Sequence, residues 1–369
     1  MRLSRDDIGV FLRHEWRELV TIRASDRPWE MPVGAALATG LPMLAGAAWD
    51  LMGDATLASM AGLIFVYLPR TPLHHRMVTI MGCGFGMICC FAIGALCQLV
   101  PVARVPVLAL LATALTMLCR YFRIGPPGNL FFIMVAAVAA YAPAVLADLP
   151  YRIGILALGC INAAAVALIY SLHALRRRAA LPIPPPPEPD FDGLWIDPVV
   201  IGLAVGLSLA LAQALGLDKA YWVAVSCLAV MQGLSLRAAW NRHVHRTLGT
   251  AIGLGLTWVL LSLLAGNWEI ALALTALTFL IETAIVRHYG FAAVFITPLT
   301  IILAEAPNLG GNTAALMEAR LLDTVLGTSI GFAGAACLHS PAFRRRFGAM
   351  LRRLIPARYL PRRTKKPRP

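Results

Sequence analysis

Charged residues are scarce in this sequence. Asp, Glu, Lys and Arg make up 14% of its 369 residues, and 59% of the residues are hydrophobic. A soluble domain carries about 25% charged residues. Outside the two termini, no polar stretch is long enough to enclose a core of its own. The sequence therefore predicts an all-α, polytopic helical membrane protein.

Motifs for water-phase chemistry are also missing. The sequence contains no phosphate-binding P-loop, no HExxH motif and no Ser/His/Asp constellation. Its eight cysteines form no CxxC pair and do not stand beside ligand-spaced histidines. We therefore expect no enzyme activity, no cofactor and no bound metal.

Twelve apolar stretches occupy most of the chain. A membrane-spanning helix needs about 20 residues, within a range of roughly 17–25. The twelve predicted spans are 31–49, 54–69, 77–100, 103–120, 130–147, 152–172, 197–216, 220–236, 247–265, 268–285, 289–305 and 319–338. They predict about 12 transmembrane helices in two six-helix halves.

The spans and the segments between them divide the chain into five parts. These are a cytoplasmic N-terminal segment (1–28), a first transmembrane half (29–175), a proline-rich linker (176–196), a second transmembrane half (197–338) and a basic tail (339–369). In the first part, apolar residues from Ile8 to Val20 recur at helical spacing, which predicts an amphipathic helix at the membrane interface.

Arginines indicate the orientation of the chain. With the N-terminus inside, most of them fall in the N-terminal segment, the linker, the tail and the loops on the same side. This distribution follows the positive-inside rule and predicts that both termini are cytoplasmic. Because six spans precede the linker, the second half starts on the same side as the first, and the halves are parallel.

The net charge of +13 resides largely in the tail. A basic cluster directly after a membrane span is attracted to anionic lipid headgroups, at about 1 kcal/mol per residue. We therefore expect the tail to contact lipid and no nucleic acid to bind.

Short motifs in the second half are ordered in a recognisable way. They include Tyr221-Trp222 opening a span, Gln232 near its end, the segment Arg246-Thr247-Leu248-Gly249-Thr250, and Arg320-Leu321-Leu322-Asp323-Thr324 with Gly327. Over residues 197–338 the chain resembles the fusaric acid resistance protein family, which includes aromatic acid exporters. The larger exporters carry a long cytoplasmic domain after each half, and here a linker and a short tail stand in those places.

The resemblance implies an inner-membrane transporter that exports small organic anions, often aromatic carboxylic acids. It also implies a possible periplasmic adaptor protein as partner, and a homo-oligomer is possible. Two alternatives remain open. One is a passive organic-anion channel, and the other is a non-transporting scaffold or accessory subunit of an adaptor-linked efflux system.

Ionisable residues inside spans are costly and by default indicate a transport pathway. Arg320 and Asp323 are three residues apart and share a helix face. They are either a mutually neutralising pair or a substrate site, in which the Arg320 guanidinium binds a carboxylate through two hydrogen bonds. Arg152 occupies the matching position in the first half.

Glu282 is a second candidate, as a proton-coupling residue or as a structural partner of nearby Arg287. A third candidate group is a cytoplasmic patch between two spans that either sets topology or concentrates anions at an entry funnel. The residues of this predicted funnel are Arg237, Arg242, His243, His245, Arg246 and Arg287. Tyr221 and Trp222 are expected at the outer membrane interface, where amphipathic aromatic rings are favoured.

Overall fold

The computed structural model describes residues 21–355, apart from residues 23, 26, 142–145, 186–189 and 306–312. Over these residues every regular element is helical, which confirms the all-α prediction. The predicted interfacial helix at Ile8–Val20 and the last part of the tail, residues 356–369, lie outside the described residues.

Two sets of six helices follow one another along the chain. The first set is α1 (Glu30–Trp49), α2 (Met52–Gly62), α3 (Leu73–Leu96), α4 (Arg104–Tyr121), α5 (Leu130–Tyr141) and α6 (Leu149–Arg177). The second set is α7 (Asp197–Ala214), α8 (Tyr221–Met231), α9 (Leu236–Leu263), α10 (Asn267–Ala284), α11 (Tyr289–Glu305) and α12 (Thr313–His339). A further helix, α13 (Pro341–Leu354), begins after α12.

Each predicted apolar stretch overlaps one of α1–α12. Among the described residues, seven helices are long and apolar enough to cross a membrane, namely α1, α3, α4, α6, α7, α9 and α12. The helices α2, α5, α8 and α11 are shorter apolar helices. The number of spans is therefore not settled by length alone.

Helix α9 begins about three turns before the start of the predicted ninth span. Helix α9 begins at Leu236 rather than at 247, because the Ser235 hydroxyl accepts a hydrogen bond from the Ala238 backbone N–H and caps the helix. The first turns of α9 contain charged residues that lower the local hydropathy, so a search for apolar runs does not find the start of this helix.

Helix packing repeats after six helices. In the first set α1 packs on α2 and α6, α2 on α6, and α3 on both α5 and α6. In the second set α7 packs on α8 and α12, α8 on α12, and α9 on both α11 and α12. The two sets meet in three places, where α10 packs on α1, α4 on α7, and α5 on α8. The contacts named within the first set therefore each have a counterpart in the second set.

Glycines at matching positions allow the closest of these contacts. A Cβ added to Gly159 of α6 would overlap the carbonyl oxygen of Ala58 on α2. A Cβ added to Gly327 of α12 would overlap the carbonyl oxygen of Val223 on α8 in the same way. Small residues let helix backbones approach closely, so these two glycines fix equivalent helix pairs in the two sets.

The linker and the tail meet at one end of the α4–α7 contact. The Arg344 guanidinium on α13 forms ion pairs with Asp197 at 2.8 Å and with Asp192 at 3.1 Å. Arg120, at the end of α4, pairs with the same Asp197 at 2.8 Å. Burial lowers the pKa of Arg344, but Asp197 and Asp192 raise it more, so the net pKa shift is upward.

Helical structure extends into the predicted linker and tail. Helix α6 continues to Arg177, and a π-helical turn at Asp192–Ile196 leads directly into α7. Helix α13 packs Leu351 and Gly348 against this turn, and Arg352 lies 4.0 Å above the Phe191 ring. The described part of the tail is a docked helix.

Candidate functional site: a buried arginine cluster in the second helix set

Four short helices occupy corresponding positions in the two helix sets. The four helices α2, α5, α8 and α11 are the second and fifth of each set, so they occupy corresponding positions. Unusually short apolar segments at corresponding positions of two halves point to a binding site in transporter folds. Helix α8 has 11 residues and all of them are buried. At 1.5 Å per residue it is about 16 Å long, about half the thickness of a bilayer core.

Helix α12 carries Arg320 and Asp323 to the side of α8. Arg320 is 3% exposed and Asp323 is 1% exposed, although both are charged side chains in ordinary water. Burying an ion costs several kcal/mol unless a partner compensates for its charge. In the described part of the chain, no ion pair or hydrogen bond joins these two residues to each other.

Some of the polar atoms here have no partner. The Nε and Nη1 atoms of Arg320 and the Oδ1 atom of Asp323 are buried without a hydrogen bond in the described structure. A buried, unsatisfied polar group requires an explanation in a native protein, and a bound anion is one. A carboxylate can accept a charge-assisted hydrogen bond from either of these two guanidinium nitrogens.

Trp222 is the nearest neighbour of the Arg320 guanidinium. The guanidinium carbon lies 4.0 Å from the centroid of the Trp222 ring system, which is a close cation–π contact. Trp222 and Tyr221 are 9% and 8% exposed, so their predicted place in a lipid-facing aromatic belt is wrong. Both rings face the interior because α8 is surrounded by other helices on all sides.

A small pocket adjoins this group. It is lined by Arg320, Asp323 and Trp222, by Lys219 at the start of α8, and by Thr300 and Ile301 of α11. Its volume is about 20 Å³, which is enough for about one water molecule. In this conformation the pocket is therefore too small for a ligand larger than water.

A larger opening lies elsewhere. It has a volume of about 380 Å³ and lies between α1, α2 and α6, with Pro42, Trp49 and Leu158 among its mostly apolar lining residues. Its acidic residue, Asp54, accepts a hydrogen bond from the Tyr151 hydroxyl. No arginine or lysine lines the opening, so it does not suit an anion.

The residues of the predicted cytoplasmic funnel differ in their exposure. Arg242, His243, His245 and Arg246 lie on α9 rather than in a loop, and Arg246 is 5% exposed. Arg237 and Arg287 are exposed. The six residues therefore differ in exposure, and Arg246 belongs to the buried part of α9 rather than to an exposed surface.

Arg246 and Arg242 surround Tyr289. The Arg246 Nη1 atom lies 3.4 Å from the Tyr289 hydroxyl, and its Nε atom lies 3.4 Å from the Ser226 hydroxyl. The Arg242 guanidinium lies 5.2 Å from the Tyr289 ring centroid, and its Nη1 donates to the Ala229 carbonyl at 3.0 Å. None of these partners is a carboxylate.

The histidines of the predicted funnel pack against rings. His243 lies 5.9 Å from the Phe332 ring centroid and 5.6 Å from that of Trp240. His245 lies 4.7 Å from His288. No group of three or more His, Cys, Asp or Glu residues in the described ranges is arranged to hold a metal ion.

Glu282 is paired with a residue that sequence spacing did not suggest. Its Oε2 atom lies 2.7 Å from the Arg27 Nη1 atom, and both side chains are largely buried. Arg287, the predicted partner, is exposed at the end of α10. Arg27 precedes α1, so this ion pair crosses the α10–α1 contact between the two helix sets.

Arg152 does not form an equivalent site in the first set. Its side chain is half-buried on α6, and the spacing that matches Arg152 to Arg320 places Ile155 at the position of Asp323. The first set therefore lacks the carboxylate. The charged group around Arg320 is found in the second set of the described helices.

Three residues that contact the predicted charged residues were not themselves predicted as site residues: Ser226, Tyr289 and Arg27. Ser226 was detectable as a hydroxyl in the middle of an apolar helix. No role was predicted for Tyr289. Arg27 gave no signal, since its partner is 255 residues away in the chain.

Together, these features define a multi-pass helical membrane protein with buried arginines in its second helix set. Residues 205–334 match the family described as fusaric acid resistance protein-like. This finding confirms the resemblance predicted for the second half.

Three relatives, all described as uncharacterized, are similar to part of the chain. Membrane protein YvaC of Bacillus subtilis is 31% identical over 166 residues, which are 44% of this chain and 26% of that protein. Protein YhfK of Escherichia coli is 34% identical over 37% of this chain and 19% of its own length. Protein ORF2 of Neisseria gonorrhoeae is 27% identical over 151 residues, which are 40% of this chain and 34% of that protein.

The chain thus spans about a third or less of the length of these relatives. No solved structure gives a significant match.

Proposed function

We propose that this protein is a membrane transporter that moves small organic anions, above all aromatic carboxylic acids, out of the cytoplasm. The match of residues 205–334 to the fusaric acid resistance protein-like family supports an efflux role. The proposal places the protein in a bacterial inner membrane with both termini in the cytoplasm. The arginine distribution and the bacterial relatives support this location.

We also propose that α1–α12 all cross the membrane, as two parallel six-helix halves. The repeat of the packing after six helices supports this arrangement. The short helices can still cross, because the bundle encloses them and a bilayer can thin locally around short segments. The contacts between the halves are then those of α4 with α7, α10 with α1, and α5 with α8.

The observation that carries the proposal is the unsatisfied Arg320 guanidinium. It is buried beside Trp222, two of its nitrogens have no hydrogen-bond partner, and the nearby Asp323 is not paired with it in the described structure. An anionic ligand would supply the missing acceptors and offset the cost of burying the charge. A carboxylate on a planar ring fits best, because the Trp222 face lies next to the guanidinium.

The other parts of the proposal rest on the sequence. Gradient coupling, a periplasmic adaptor, a homo-oligomer and lipid contact of the tail stay predictions. The ion pair with Arg27 gives Glu282 a structural role, which weakens the case for Glu282 as a proton-coupling residue.

Transport by the purified protein in liposomes tests the proposal. Liposomes loaded with radiolabelled benzoate should lose it faster with wild-type protein than with empty membranes. Arg320→Lys should lower the rate about tenfold, because an ammonium cannot form the two-pronged contact. Arg345→Lys, at an exposed arginine of α13, is the matched control and should leave the rate unchanged.

The same assay separates the alternatives. A coupled exporter should respond to an imposed proton gradient and carry little current under voltage clamp, whereas a channel carries current without a gradient. A scaffold gives no flux by itself. Wild-type rates for Arg320→Lys, or no flux of any aromatic acid, would argue against the proposed site.

A further inference from the structure

A second guanidinium lies close to Arg320 along one face of α8. Arg320 contacts Trp222, and Arg246 contacts Ser226 through a 3.4 Å hydrogen bond. Trp222 and Ser226 are four residues apart on the same helix, so they share a face and are separated by about 6 Å along its axis. The two arginines reach this face from different helices, α12 and α9.

The positive charges in this region are not balanced. Arg246 repels Arg320 electrostatically, and Tyr289 interacts with both. Arg242 adds a third guanidinium on the other side of Tyr289. Among the described residues, no ion pair joins any of these three arginines to a carboxylate, although Asp323 lies near Arg320.

The hydrogen bonds of Arg246 are also weak. A charged N–H bound to an ionised acceptor is usually about 2.7–2.9 Å long, whereas both contacts of Arg246 are 3.4 Å and end on neutral hydroxyls. Arg246 is 5% exposed, so water does not replace the missing acceptor. Two neighbouring, buried and poorly compensated guanidinium groups thus require two negative charges.

We propose that the ligand of this site is a dianion with acidic groups at opposite ends of a flat, rigid body. One carboxylate binds Arg320, the second binds Arg246, and the ring lies against Trp222. The Tyr289 hydroxyl, which accepts from Arg246, donates its own hydrogen to the ligand. This inference rests on the proposed function, because it names the substrate class of the same site.

Three acids distinguish a dianion site from a site for any acid. Benzoate has one carboxylate, terephthalate has two at opposite ends of the ring, and phthalate has two on adjacent carbons. We expect terephthalate to bind the purified wild-type protein about tenfold more tightly than benzoate, since it adds one charge-assisted contact. Phthalate has the same charge but cannot span the two arginines, so it should bind no better than benzoate.

Arg246→Gln should remove the advantage of terephthalate and leave benzoate affinity within about threefold of wild type. Arg246→Lys is a second variant that retains the charge if the glutamine protein does not fold, and it should reduce the advantage only in part. Arg345→Gln is the matched control and should bind all three acids as wild type does. Isothermal titration calorimetry in detergent measures each affinity.

Each outcome has a separate meaning. If the wild type binds none of the acids, the proposed function fails. If it binds benzoate and terephthalate equally, or phthalate as tightly as terephthalate, the dianion inference is overturned while the proposed function stands. Equal loss of benzoate and terephthalate in a folded Arg246→Gln protein would also overturn it, because Arg246 would then support the whole site rather than one end of the ligand.

Discussion

The ion pair between Arg27 and Glu282 offers a sharp test of how the two helix sets are held together. Its charged atoms are 2.7 Å apart, and the side chains are 18% and 9% exposed. At an effective dielectric constant of about 20, two unit charges at this distance attract by about 6 kcal/mol before desolvation is counted. Removing one partner of a buried pair typically costs about 3–5 kcal/mol, because the other charge is left without compensation.

We therefore expect Arg27→Gln to destabilise the protein by about 3 kcal/mol, the lower end of that range, since Arg27 keeps some contact with water. The double variant Arg27→Gln/Glu282→Gln should recover most of this loss, because two amides can hydrogen-bond without a net charge. Arg287→Gln is the control, since Arg287 is exposed and should contribute little.

Thermal unfolding in detergent can be followed with a thiol-reactive dye. Six of the eight cysteines are buried, for example Cys83 and Cys227, so the dye reports loss of helix packing. A single Arg27→Gln protein that unfolds at the wild-type temperature would refute a structural role for the pair. If the stable double variant loses its response to a proton gradient while Arg27→Gln keeps it, Glu282 is a coupling residue after all.

Two further predictions concern helix contacts. Gly327→Val should destabilise the protein by about 1–3 kcal/mol, because the new side chain overlaps the Val223 carbonyl. Gly255→Val is the control, since Gly255 has open space around it. Equal unfolding temperatures of the two variants would contradict the packing described. Asp197→Asn should weaken the docking of α13, because it removes the negative charge that pairs with both Arg120 and Arg344. Limited proteolysis should then cleave the tail sooner than in the wild type. An unchanged cleavage rate would show that the apolar contacts of α13 are sufficient to hold it in place.

The sequence predicts the helices better than it predicts the site. The apolar runs locate all twelve helices, because lipid-facing and buried surfaces are apolar alike and the linker separates the sets. Their ends are less predictable. Helix α9 starts at Leu236 within a polar segment, since a serine cap rather than hydropathy determines its start.

Within the site, the residue types were predictable but their neighbours were not. Arg320 and Asp323 stand out as charges in an apolar run, and both are buried. The contacts of Arg320 with Trp222 and of Glu282 with Arg27 depend on how distant helices pack, which no local pattern encodes. For the same reason Trp222 is consistent with a lipid interface in the sequence, although it faces the interior.

The central claim is that an aromatic acid binds the Arg320 guanidinium inside the second helix set. The most direct measurement is a cryo-electron microscopy structure of the protein in lipid nanodiscs with saturating benzoate. We predict that the benzoate carboxylate accepts hydrogen bonds from the Arg320 guanidinium, that its ring lies against Trp222, and that the volume of the pocket is larger than its present value of about 20 Å³. Benzoate density at another place, with Arg320 still buried and without an anion, would contradict the claim.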